Sequence, residues 1–142
     1  MKKLLFFLPL LFLFACNGDD PMDVDNTKTP IDITLSDWRV LQVKNGDNVN
    51  DPAASYILKL DSDGMYSLRL DVNTCTGTYE VDLENKRISF DGGCTEACCD
   101  SDPALDIAEV LGKVVRYELA SAPGDTPLIF WAEPNYINFT QN

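Results

Sequence analysis

Four of the five cysteines lie in two nearby segments and are the residues best suited to chemistry. Cys75 belongs to the segment Asn73–Tyr79, and Cys94, Cys98 and Cys99 follow close together. Thiols can pair as disulfides, bind zinc as thiolates, or act as redox groups. We therefore expect these two segments to form the organising centre of one small domain.

The cysteine spacing favours disulfides over a metal site. Four cysteines allow three pairings. A bridge between the neighbours Cys98 and Cys99 would close a strained ring, so both remaining pairings join Cys75 and Cys94 to that adjacent pair. A four-thiolate zinc site and a reactive thiol are the alternatives. Structural zinc sites usually contain Cys-x2-Cys pairs, and the chain has no histidine. We predict two disulfides, no metal and no cofactor.

Alternating apolar residues predict the hairpin that precedes Cys75. Placing Leu60 opposite Tyr66 also places Leu58 opposite Leu68, so the apolar residues share one face of the sheet. This register leaves a three-residue loop that ends at Gly64, where a left-handed residue is needed. Turn chemistry and apolar pattern therefore agree on one register.

Two further hairpins and a first strand follow from the same alternation. We predict that Leu83 lies opposite Ile88 in one hairpin and that Leu119 lies opposite Leu128 in the other. The first strand is expected over residues 35–43, with Trp38, Val40 and Gln42 on one face, and residues 44–52 are expected to form a loop.

One helix is predicted between the last two hairpins. Asp102 and Pro103 are typical of a helix start, and Gly112 is typical of a helix end. The apolar stripe comprises Ala104, Ile107, Ala108 and Leu111. The fold is therefore predicted as mainly β (α+β), a strongly curved antiparallel sheet or small barrel of about eight strands with one short helix packed on it.

The N-terminal segment is typical of export. Lys2 and Lys3 precede an apolar run, which is too short to span a bilayer, and Ala15-Cys16 resembles the end of a bacterial lipobox. We predict a signal peptide over 1–15, lipidation of Cys16 and a flexible acidic tether over 16–30. One domain would occupy 31–142. The expected location is the cell envelope, as an outer-membrane lipoprotein. One interpretation of the acidic residues in the tether is that the protein is exposed on the cell surface.

Composition argues against several classes of function. The chain carries 11 basic and 23 acidic residues, a net charge of −12. This charge disfavours nucleic acid and anionic lipid as partners. The absence of histidine removes Ser-His and Cys-His catalytic pairs, and the sequence contains no glycine-rich phosphate loop. We predict a monomeric, non-enzymatic protein that is held at the membrane by the lipid on Cys16 and interacts with an unknown protein.

Five aromatic residues define an alternative hypothesis, a small inhibitor or ligand-binding barrel. They could line the mouth of the barrel and bind a cationic extracellular protein or a small apolar ligand. The interpretation that they belong to the core is favoured over this one. The five residues are Trp38, Tyr56, Tyr66, Trp131 and Tyr136.

The chain resembles the META-domain (HslJ-like) family of bacterial envelope lipoproteins from about Leu35 to Phe139. The resemblance implies a compact β-rich fold with one helix, a disulfide like Cys75–Cys99, and therefore a second disulfide between Cys94 and Cys98. It also implies a role in envelope stress and heat tolerance, with no agreed enzymatic activity or ligand. The matching residues are Leu35, Trp38, Asn73, Cys75, Gly77, Tyr79, Thr95, Cys99, Leu111, Tyr117 and Leu128. Ser36-Asp37 departs from the family, which usually has a glycine there.

Overall fold

The computed structural model describes residues 32–53, 55–119 and 127–142. A short 3₁₀ turn, Ile33–Leu35, precedes the first strand, and one α-helix separates the sixth and seventh strands. In chain order the elements are β1 (Trp38–Asn45), β2 (Asn48–Asn50), β3 (Ile57–Leu60), β4 (Met65–Arg69), β5 (Thr74–Asp82), β6 (Arg87–Cys94), α1 (Asp102–Leu111), β7 (Arg116–Leu119), β8 (Leu128–Ala132) and β9 (Asn135–Gln141). Of the described helices, none is long and apolar enough to cross a membrane.

The strands form a closed antiparallel barrel. β3 to β9 pair in chain order, and β1 pairs with both β3 and β9, which closes a ring of eight strands. The short β2 lies outside this ring and pairs with β1. Closure leaves the eight strands without a free sheet edge. The predicted small barrel of about eight strands with one short helix is confirmed.

Two predicted registers are confirmed. Leu60 lies opposite Tyr66 and Leu58 opposite Leu68 in the β3–β4 hairpin. Its turn is closed by a hydrogen bond of 2.9 Å from the Asp61 amide to the carbonyl of the residue after Gly64, and Gly64 has a φ of 84°. In the β7–β8 hairpin, Leu119 lies opposite Leu128 as predicted.

The predicted register of the β5–β6 hairpin is wrong by two residues. Ile88 pairs with Val81, and Leu83 lies in the turn with 69% of its surface exposed. The Asp82 carboxylate stabilises the turn in this register, because it accepts hydrogen bonds from the amide and side chain of Asn85 at 3.0 and 2.7 Å. A shift of two residues keeps the same side chains on the same face, so the apolar pattern alone does not distinguish the two registers.

The first strand also differs from the prediction. It begins at Trp38 and continues to Asn45, and a β-bulge interrupts its pairing with β9 between Val40 and Gln42. The extra residue in a bulge moves the following side chains to the other face. Val43, and not Gln42, therefore joins Trp38 in the interior, where both are 0% exposed. Residues 44–52, expected as a loop, contain β2 and the end of β1.

Large side chains fill the barrel interior. The Trp38 indole donates a buried hydrogen bond of 2.7 Å to the Ile33 carbonyl, and Phe130 packs edge-on against Phe139 with ring centroids 5.0 Å apart. The predicted helix is present, although its N-cap is Ser101 instead of Asp102. α1 lies mainly against β1 and β9 and buries Ala104, Ile107, Val110 and Leu111.

Candidate functional site

The cysteines pair differently from both predictions. Cys75 and Cys94 form one disulfide, and Cys98 and Cys99 form the other. The predicted bridging of Cys75 and Cys94 to the adjacent pair is therefore wrong, and so is the Cys75–Cys99 bridge that the resemblance implied. The reason is the strand register: Cys75 and Cys94 are direct partners across β5 and β6, with Cα atoms 3.8 Å apart.

The Asn73 side chain holds the loop that carries Cys98 and Cys99. Its amide nitrogen donates to the Ala97 carbonyl and to the Asp100 carboxylate, both at 2.6 Å. Its oxygen accepts from the Thr95 hydroxyl at 2.7 Å and the Ala97 amide at 2.8 Å. Asn73 is 7% exposed, so these bonds satisfy a buried amide and fix the loop on the barrel.

Two carboxylates fix the segment between this loop and α1. Asp100 accepts a hydrogen bond of 2.9 Å from the Val72 amide. Asp71 accepts from the hydroxyl and amide of Ser101 at 2.6 and 2.9 Å and from the Tyr56 hydroxyl at 2.8 Å. The hydrogen bonds from Ser101, followed by that from Tyr56, hold the pKa of Asp71 below its ordinary value, because they stabilise the ionised carboxylate.

The Cys75–Cys94 disulfide borders a cleft at the barrel end where β6 faces α1. The cleft has a volume of about 310 Å³. We call it the cysteine-rimmed cleft, and its lining residues are Tyr66, Cys75, Phe90, Asp91, Gly92, Gly93, Cys94, Ala108, Leu111 and Gly112. Tyr66 and Phe90 pack edge-on, with centroids 5.1 Å apart, and supply an aromatic wall.

Paired glycines leave room for this cleft. Gly77 and Gly92 lie directly opposite each other in β5 and β6. A Cβ on Gly77 would lie 2.1 Å from the Asp91 carbonyl oxygen, and one on Gly92 would lie 2.8 Å from the Tyr66 hydroxyl. The close approach of the two backbones therefore requires glycine, and the space beside the Tyr66 hydroxyl stays open.

The electrostatics of the cleft favour a neutral or positively charged guest. Burial raises the pKa of the Tyr66 hydroxyl, and the Asp91 charge raises it further, so this group is a neutral hydrogen-bond donor at ordinary pH. The last turn of α1, next to Gly112, presents the negative end of the helix dipole. Of the described residues that line the cleft, none is basic.

The five aromatic residues proposed as one surface lie in different places. Trp38, Tyr56 and Tyr66 are buried, at 0%, 3% and 5% exposure. Trp38 and Tyr66 face inward from β1 and β4, and Tyr56 directly precedes β3. Trp131 and Tyr136 are half-buried on the outer wall, with ring centroids 5.5 Å apart. The hypothesis of one aromatic surface is therefore wrong, and Tyr66 is the member of the set that lines the cleft.

Arg116 covers the Trp131 ring on the outer wall. Its guanidinium carbon lies 4.8 Å from the ring centroid, and it forms ion pairs with Glu118 at 2.6 Å and Glu133 at 2.8 Å. The Trp131 indole N–H is buried and has no partner in the described part of the chain. The two carboxylates neutralise the arginine, so we assign this wall a packing role.

Sequence reasoning identified part of the cleft and missed the rest. Cys75, Cys94 and Tyr66 are among the candidates predicted from the sequence, whereas Phe90 and Gly92 are not. The signal for them was the pair Gly92-Gly93 inside a run that continues to Cys94, because glycines within a strand often mark close backbone approach. Cys16 lies outside the described residues. Within the described residues there is no group of three or more His, Cys, Asp or Glu placed to hold a metal ion.

Comparison with known proteins gives a structural neighbour and no family. No family model and no curated protein match the sequence. A crystal structure of a DUF4847 family protein from Bacteroides vulgatus is similar, with a TM-score of 0.58 and 15% sequence identity. The similarity covers 78% of this chain and 94% of that chain. At this identity the likeness concerns the fold alone, and the resemblance to the META-domain family stays a prediction.

Proposed function

We propose that this protein is a non-enzymatic, lipid-anchored cell-envelope protein that binds a small ligand in the cysteine-rimmed cleft. The cleft is the observation that supports binding, and the N-terminal sequence supports the anchor. A role in envelope stress or maintenance, as the META-domain resemblance implies, is compatible with such a binding module.

The filled barrel interior supports the cleft as the binding place. Small barrels can hold a ligand along their axis when side chains leave room, but here Trp38, Phe130 and Phe139 occupy the interior at 0–1% exposure. The cleft volume of about 310 Å³ falls at the lower end of the range of ligand pockets, roughly 300–1,000 Å³. A fragment-sized guest therefore fits it better than a large one.

The lining supports a guest with an apolar body and a positively charged or hydrogen-bond-accepting group. Phe90, Leu111 and the disulfide supply apolar contact, and the aromatic wall can interact with a cation through its ring faces. Asp91 and the C-terminal end of α1 favour positive charge. Arylalkylamines have this chemistry and serve as probes.

A matched pair of helix variants tests the site. Ala108 lines the cleft, whereas Leu105 lies on the same helix with 55% of its surface exposed. We expect phenethylamine to bind the purified protein and its matched anion, phenylacetate, not to bind, as measured by NMR titration. Ala108→Phe should fill the cleft and weaken phenethylamine binding at least 10-fold, while Leu105→Phe should leave it unchanged. Tighter binding of phenylacetate, or equal binding by both variants, would contradict the proposed site.

The anchor is tested separately by metabolic labelling. We expect full-length protein, expressed in a bacterium with a radiolabelled fatty acid, to incorporate label and to fractionate with the outer membrane. Cys16→Ser should abolish the label, and Cys98→Ser should retain it. Label that persists in Cys16→Ser would refute lipidation at this residue, whatever the outcome for the cleft.

A further inference from the structure

We propose that the Cys98–Cys99 disulfide is a thiol–disulfide exchange site, which external dithiols reduce while the Cys75–Cys94 disulfide stays oxidised. The inference is independent of ligand binding in the cleft. It depends on the exposure of the two sulfur pairs, on the chain segments that they connect, and on the hydrogen bonds that hold the loop.

The two disulfides differ in exposure. Cys98 and Cys99 are both exposed on the loop between β6 and α1. In the other pair, Cys75 is 2% exposed within the barrel wall, whereas its partner Cys94 is exposed. Exchange needs access of an attacking thiolate to a sulfur atom. A soluble or protein-bound dithiol can therefore approach Cys98–Cys99 at either residue, whereas Cys75–Cys94 is accessible on the Cys94 side alone.

The two disulfides also differ in what they connect. Cys75–Cys94 spans 19 residues and joins two paired strands, so it restricts the unfolded chain. Folding and this bridge consequently stabilise each other. Cys98–Cys99 joins sequence neighbours and closes no chain segment between them. Its reduction therefore releases no restraint on the barrel.

Hydrogen bonds hold the loop on both sides of the exposed pair. The Asn73 side chain bonds the amide and carbonyl of Ala97, the residue before Cys98. Asp100, the residue after Cys99, bonds Asn73 and the Val72 amide. These contacts involve neither sulfur atom. The reduced loop should consequently keep its place on the barrel, and the pair can cycle without unfolding.

The exchange balances as a two-electron reaction. A thiolate of the external dithiol attacks the sulfur of one cysteine, which forms a mixed disulfide and breaks the Cys98–Cys99 bond. The bonding electron pair leaves on the other sulfur, which takes up a proton. The second thiol of the reductant, as its thiolate, then attacks the mixed disulfide and leaves as part of an external disulfide, and the released cysteine is protonated. The protein gains two electrons and two protons, and the dithiol loses them.

Graded reduction followed by alkylation tests the proposal. The full chain, purified from membranes in detergent, is equilibrated with dithiothreitol, labelled with iodoacetamide, digested and analysed by mass spectrometry. Cys98 and Cys99 should both be labelled at reductant-to-oxidant ratios on the order of 100-fold lower than those that label Cys75 and Cys94, given the chain restraint of the longer bridge. Simultaneous labelling of all four cysteines, or a non-reduced peptide that joins Cys75 to Cys98 or Cys99, would overturn it.

Two double variants provide the controls. Cys98→Ser with Cys99→Ser should lose the early labelling and keep the unfolding midpoint of the wild type. Cys75→Ser with Cys94→Ser should keep early labelling of two thiols, provided that circular dichroism shows the barrel. A large fall in stability in the first double variant would show that the exposed pair is a structural bridge, which would overturn the proposed role.

Discussion

Replacement of Asn73 by alanine tests how the cysteine loop is held. The Asn73 side chain makes four hydrogen bonds of 2.6–2.8 Å and is 7% exposed. A hydrogen bond contributes a net of about 0.5–1.5 kcal/mol. Thr95 and Ala97 are exposed, so water can replace some of the hydrogen bonds that they lose with the Asn73 side chain. We therefore expect Asn73→Ala to lower the free energy of unfolding by about 2–3 kcal/mol and the melting temperature by roughly 10 °C.

Urea unfolding followed by tryptophan fluorescence measures this change under non-reducing conditions. Asn48→Ala is the matched control, because Asn48 is exposed in β2. Its replacement should lower the free energy of unfolding by less than about 0.5 kcal/mol. An Asn73→Ala protein as stable as the Asn48→Ala protein would refute the idea that this amide fixes the loop. If Asn73→Ala also kept the wild-type rate of iodoacetamide labelling at Cys98 and Cys99, the hydrogen bonds of Asn73 would not be what holds the loop during reduction of this disulfide.

Three further predictions concern the barrel and its loop. Gly92→Val should lower the free energy of unfolding by several kcal/mol or prevent folding, because a Cβ at this position would lie 2.2 Å from the Thr76 carbonyl oxygen. A Cβ at Gly93 meets no atom within 4 Å, so the control Gly93→Val should fold. Soluble yield and thermal melting of the two variants measure the difference. Loss of the Cys75–Cys94 bridge in the double serine variant should lower the free energy of unfolding by about 3 kcal/mol, because the unfolded chain gains conformational entropy. Urea unfolding measures this change, and an unchanged unfolding midpoint would contradict the pairing. Asp71 has a lowered pKa in the folded state, so its contribution is present above its unfolded pKa of about 4 and is lost as the pH falls through the folded value. Asp71→Asn should therefore flatten the stability profile below about pH 4, and an acid limb identical to that of the wild type would refute this.

The local hairpins were predictable because their information is local. Leu58 and Leu60 alternate in phase with Tyr66 and Leu68, and Gly64 has the conformation that the loop needs, so pattern and turn agree on one register. The β5–β6 hairpin lacked this agreement. Its two possible registers differ by two residues and bury the same face, and the hydrogen bonds of Asp82 in the turn decided between them.

The first strand and the cysteines required information from distant parts of the chain. The bulge after Val40 depends on pairing with β9, almost 100 residues later, as shown by the pairing of Val40 with Phe139. The Cys75–Cys94 bridge depends on the same kind of pairing between β5 and β6. Cysteine spacing along a chain gives no distance across a sheet, so the spacing left the connectivity open and led to the wrong choice.

The sequence by itself determined most of the strand pattern, the helix with its apolar stripe, the glycine turn and the mainly β class of fold, because these follow from periodicity and backbone preference. It also carries the prediction of a lipid anchor at Cys16. The tertiary structure decided which cysteines meet, that Trp38 and Tyr56 are core residues, and that Tyr66 faces a cleft with Phe90 and Gly92. These features depend on the register and closure of the barrel, which bring together residues from strands and a helix that are separate in the chain.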